Sequence, residues 1–121
     1  MAAPALTQEL PADGKPFHNI KLTEARDIAD AAAISAAIRV LANDAASCPA
    51  STSEDRLACV CSFSYHLKKL KSAYAVAVAK HPGWNEVDTV VAYVDAANGK
   101  SVTINLPGVK RQLDACVQHR R

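Results

Sequence analysis

Cys59 and Cys61, separated by a single valine inside a stretch of helical periodicity, constrain this chain more than any other feature. On a helix, residues two apart point about 200° away from each other. The pair therefore cannot close on itself, and each thiol must find a different partner. Two further cysteines supply those partners: Cys48 in the connector ahead of the stretch and Cys116 on an apolar face near the C-terminus. The preferred pairing is Cys48 with Cys59 and Cys61 with Cys116, and the crossed pairing, Cys48 with Cys61 and Cys59 with Cys116, is its rival. Either would staple three segments together and place the chain in an oxidising compartment. Two competing readings use the same residues. Cys59, Cys61 and His66 offer soft ligands for a metal- or thiol-handling protein, but structural zinc favours Cys-x₂₋₄-Cys knuckles in turns, and redox thiols favour Cys-x-x-Cys. Alternatively, four reduced cysteines would serve as small core residues of a cytosolic protein.

A length of 121 residues suits one domain with a real core. Alanine supplies much of the 50% hydrophobic fraction and aromatics only 5%, so the core is expected to come from small side chains on closely approaching helices. The net charge of +2 is too balanced to drive nucleic-acid binding by counterion release. The halves differ, since residues 1–60 carry five Lys/Arg against eight Asp/Glu, net −3, which leaves +5 for residues 61–121. Oppositely charged helices packing within one monomer would account for this, as would an acidic partner. No uncharged stretch approaches the roughly 20 apolar residues of a membrane span. The opening Met1-Ala2-Ala3-Pro4-Ala5-Leu6 lacks a basic region and an apolar core, so it does not read as a signal peptide. Its small residues instead suggest the mature side of a cleavage site.

Residues 1–19, with Pro4, Pro11, Asp13-Gly14 and Pro16, read as an extended or disordered N-terminal arm ahead of a globular domain over residues 20–121. Thr23 is placed to cap a helix running to about Asn43, with Ala31, Ile34, Ile38, Leu41 and Ala45 on one stripe. Ser51 with Glu54 forms a capping-box pattern opening a long second helix, whose stripe Leu57, Val60, Phe63, Leu67, Leu70, Tyr74 and Ala77 runs until His81-Pro82-Gly83 stops it. Thr89–Asp95 and Ser101–Leu106 flank Asn98-Gly99 as a β-hairpin, with Val102, Ile104 and Leu106 turned inward and Thr103 and Asn105 toward water. After Pro107-Gly108 a short helix carries Val109, Leu113, Cys116 and Val117 on one face, ending in the basic tail His119-Arg120-Arg121. The expected fold class is α+β, helix-dominated: a helical hairpin, one β-hairpin and a short C-terminal helix, stapled by disulfides.

None of His18, His66, His81 and His119 stands beside a nucleophile or carboxylate in a recognised catalytic pattern, and Asp27 and Asp30 are explained by their place at a helix start. Lys68, Lys69 and Lys71 form a basic patch, either a solvated face or a surface for an anionic partner. Trp84 follows the helix stop, where it either lids the core or anchors an interface. These features point to a non-enzymatic secreted or periplasmic binding protein, inhibitor- or immunity-like, with Trp84, Lys68, Lys69 and Lys71 as its partner surface. Its expected partner is another protein, plausibly acidic, with no nucleic acid, no membrane span and no cofactor, and the chain is expected as a monomer or a homodimer.

Overall fold

The computed structural model describes residues 18–48 and 52–119; the arm over residues 1–17, the proposed cap Ser51 and the tail residues Arg120 and Arg121 lie outside them. Helix α1, Ala25–Ala45, is favoured by its alanines, and it buries Ala31, Ile34, Ser35, Ile38, Leu41 and Ala45 at spacings of three and four. Thr23 does not cap it. The N-cap position falls on Glu24, whose side chain makes no capping bond and lies 3.4 Å from Arg26 Nε.

The long second helix is in fact two: α2, Ser53–Ser62, and α3, Ser64–Lys80. They part at Phe63, whose ψ of 64° is not helical. At the break the Ser62 hydroxyl donates to the Cys59 carbonyl at 2.6 Å. That carbonyl is the acceptor a continuous helix would offer Phe63, and the Phe63 N–H turns to Val60 O at 3.3 Å instead. The expected apolar stripe is thus split between two helices. Helix α2 starts at Thr52, whose hydroxyl accepts from the Asp55 N–H at 2.9 Å. Helix α3 ends where the Pro82-Gly83 signal placed its stop, followed by a 3₁₀ turn over Pro82–Asn85.

The expected hairpin is present as β2, Thr89–Val94, and β3, Ser101–Ile104, antiparallel with Val91 opposite Ile104. Its turn uses the positive φ of Gly99, 71°. A third strand, β1, His18–Lys21, pairs in parallel with β2, His18 opposite Thr89, and gives the sheet order β1-β2-β3. Residues 18 and 19 therefore belong to the sheet and not to the arm. The central position of β2 explains why Val90, Val91 and Tyr93 are all buried.

Helix α4, Leu106–His119, begins before Pro107-Gly108, not after it. Proline is tolerated there because the first turn of a helix needs no N–H from it. Asn105, expected to face water, is buried and caps this helix: its Oδ1 accepts from Gly108 N at 3.2 Å and its carbonyl from Val109 N at 3.1 Å. Leu106 is consequently a buried helical residue, and Val117 turns outward, 46% exposed. The core lies between α1, α3, α4 and the inner face of the sheet, centred on Ile34, Leu70, Val91, Ile104, Leu106 and Val109.

Both disulfides follow the preferred pairing. Cys48–Cys59 joins the residues after α1 to α2 with Cα atoms 5.8 Å apart, and Cys61–Cys116 joins α2 to α4 at 5.4 Å. The opposite directions of Cys59 and Cys61 on α2 make this possible. Two such bridges fit an oxidising environment. Among the described residues, no helix is long and apolar enough to cross a membrane.

Candidate functional site

The lysine patch is divided by helical geometry. Lys68 and Lys71, three residues apart on α3, share one face, whereas Lys69 lies about 100° around the helix from Lys68. Lys69 sits 5.4 Å from the centre of the Tyr65 ring and borders a shallow depression of about 430 Å³ between α1 and α3, walled by alanines and Val40. Lys68 and Lys71 border a larger groove of about 790 Å³ between α3 and α4.

This second groove is built from the two helices as follows. Its floor is apolar, with half-buried Leu67 and Tyr74 from α3 and buried Leu113 and Cys116 from α4. Tyr74 is fixed by donating its hydroxyl to Asn85 Oδ1 at 2.9 Å, and burial raises its phenol above the ordinary tyrosine range. Exposed Ala75 and Val117 extend the apolar surface to the rim. The rim charges are unequal. On α4, Lys110 and Asp114 neutralise each other at 2.7 Å, and the carboxylate raises the Lys110 pKa through that hydrogen bond. On α3, Lys68 and Lys71 have no acidic partner among the described residues, so that wall is cationic. Cys116 ties the α4 wall to α2.

Trp84 is not part of any such surface. It is buried, and it stacks on His81 with ring centres 3.8 Å apart and planes 8° from parallel. Packed in this way, the ring lies over the core and is not exposed at the surface. His81 Nε2 in turn lies 2.9 Å from Asp30 Oδ2 and 3.8 Å from Asp27 Oδ1. The His81 hydrogen bond, with nearby Lys80 adding to it, holds the Asp30 carboxyl below its ordinary pKa against the opposing effect of burial. At the other end of the same helix pair, His66 Nδ1 pairs with Asp44. Asp44 occupies the last turn of α1, and His66 is its hydrogen-bond partner from α3.

The sequence reading missed both histidine–aspartate pairs, which join residues remote in the chain, 22 apart for Asp44 and His66 and 51 for Asp30 and His81. The placement of Asp30 at a helix start was accordingly an incomplete account of it. These pairs tie α1 to α3 at both ends. Of the residues named for a metal- or thiol-handling role, Cys59 and Cys61 stand in separate disulfides and His66 pairs with Asp44. The α4 wall was also missed as part of a site, although Lys110, Leu113, Asp114 and Val117 recur at helical spacing.

No protein-family model, curated protein or solved structure matches this chain.

Proposed function

We propose that the protein is a small non-enzymatic binding protein of the periplasm or extracellular space, inhibitor- or immunity-like, which engages another protein through the α3–α4 groove. The observation carrying this reading is the groove itself: an apolar floor of about 790 Å³ beneath a rim whose α3 lysines have no acidic partner among the described residues. Clustered exposed apolar surface edged by charge is the usual mark of an interaction site. The two disulfides favour an oxidising compartment. His66 and His81 are committed to structural ties between α1 and α3, which leaves the groove, and not an imidazole, as the feature in search of a role.

The test is site-specific photocrosslinking in the native compartment. A photoreactive side chain at Ala75, on the groove rim, should yield a discrete adduct that the same probe at exposed Val94, on β2, does not. Equal labelling from both positions, or none from Ala75, would rule the groove out as the partner surface.

A further inference from the structure

Resting on that reading, we infer that the occupant of the groove is an amphipathic helix of the partner, carrying carboxylates on the side that faces α3. Three observations lead there. First, the groove is an open trough between two helices. A small ligand is normally enclosed over most of its surface, but here Lys68, Lys71, Ala75 and Val117 are all exposed along the rim. An open apolar depression that follows two helices is filled most completely by a third helix, which lays an apolar face on the floor.

Second, the spacing of the cations is helical. Lys68 and Lys71 lie one turn apart on α3, about 4.5 Å along its axis. Carboxylates three or four residues apart on a facing helix have nearly the same repeat. Third, the two walls differ in charge. Lys110 and Asp114 cancel on α4, whereas Lys68 and Lys71 do not cancel on α3. The occupant is therefore oriented about its own axis: acidic flank toward α3, apolar face on Leu67 and Leu113, and an uncharged flank toward the mutually neutralised Lys110–Asp114 pair on α4.

The probes are a hydrocarbon-stapled amphipathic peptide with leucines along one face and glutamates on one flank, its lysine-for-glutamate counterpart, and dodecanoate. Each is titrated into the full-length, ¹⁵N-labelled, oxidised chain. The glutamate peptide should shift the amides of Leu67, Lys71, Leu113 and Val117 and bind about tenfold more tightly than the lysine peptide. K68E/K71E should reverse that order while leaving circular dichroism unchanged, since both side chains are exposed. Equal binding of the two peptides, shifts elsewhere, or dodecanoate filling the groove in place of the peptide would overturn the inference. Its failure is separable from failure of the binding function: an Ala75 photoadduct together with no preference for the glutamate peptide refutes the acidic helix alone, whereas no adduct at Ala75 refutes the partner surface itself.

Discussion

Removing the two disulfides one at a time should produce unequal losses of stability, with the larger loss at Cys61–Cys116. The sequence separations are 55 residues for Cys61–Cys116 and 11 for Cys48–Cys59. Loop-closure entropy assigns these bridges about 4.2 and about 2.8 kcal/mol at room temperature. The loops follow one another along the chain without overlapping, so the two contributions should nearly add, to about 7 kcal/mol. That is comparable to the whole net stability of an ordinary domain. The assay is urea unfolding of Cys48→Ala/Cys59→Ala, Cys61→Ala/Cys116→Ala and the fourfold variant, followed by circular dichroism and by the emission of the single tryptophan, buried Trp84. The second pair should cost about 1.4 kcal/mol more than the first, and the fourfold variant should be close to unfolded. Helix α2 should be the first to lose amide protection, because Cys61 is its one buried side chain. An equal or larger loss from Cys48→Ala/Cys59→Ala would refute loop closure as the main source of the stabilisation and place that source in the packing of α2.

Three further perturbations test the local accounts. Asn105→Ala should cost about 1 kcal/mol through loss of the α4 cap, with faster exchange at the Gly108 amide, whereas Asn105→Asp should retain most of the stability. Gly99→Ala should cost about 1 kcal/mol in urea unfolding; an added Cβ meets nothing within 4 Å, so the loss is one of backbone conformation at φ 71°, and Gly99→Asn should recover part of it. Asp30 has a depressed pKa when folded, so its stabilising effect is complete above the unfolded carboxylate value of about 3.9 and is lost as pH falls through the lower folded value. Urea midpoints should therefore fall more steeply below about pH 4 for the native chain than for Asp30→Asn, and parallel profiles would refute the assignment.

Much of the architecture could be read from local pattern. That Cys59 and Cys61 take separate partners followed from the angle between them, which depends only on both lying in a helix; the choice of Cys48–Cys59 with Cys61–Cys116 over the crossed pairing is decided by how α2 faces α4. The β2–β3 hairpin and the end of α3 followed from Asn98-Gly99 and Pro82-Gly83, whose effects are confined to the backbone beside them. Features decided by a side chain's choice of partner were not legible. At the break in the long helix, the Ser62 hydroxyl bonds the Cys59 carbonyl and the Phe63 N–H turns to Val60, a local choice that apolar periodicity does not register. Asn105 fitted a strand alternation equally well as an outward residue, and the capping bond to Gly108 decided otherwise. Strand β1 is four residues without marked alternation, and its pairing depends on β2 far along the chain. The candidate site was half legible for the same reason: Lys68 and Lys71 mark the α3 wall, but nothing local indicates that α4 supplies the other.

The walls of the groove are fixed by different means, and this has a consequence for binding. The α3 wall rests on α1 through the core around Ile34 and Leu70, with His66–Asp44 and His81–Asp30 at the two ends of the helix pair. The latter half of the α4 wall is held covalently, through Cys116 to Cys61 on α2 and through Cys59 to Cys48 beyond α1. Breaking Cys61–Cys116 should loosen the end of α4 at Cys116 and Val117 while leaving Leu113 in the core and the α1–α3 packing in place. An occupant must then order that wall on binding, at a cost of about 0.5–1.5 kcal/mol for each side chain immobilised. Ordering two such side chains corresponds to a loss of affinity of roughly 5- to 150-fold. Cys61→Ala/Cys116→Ala should therefore bind the glutamate peptide more weakly by that factor under conditions where it remains folded. Cys48→Ala/Cys59→Ala, which leaves α4 tied to α2, should lose much less. Equal losses from the two pairs would mean that the groove is shaped by α2 as a whole and not by the bridge to α4.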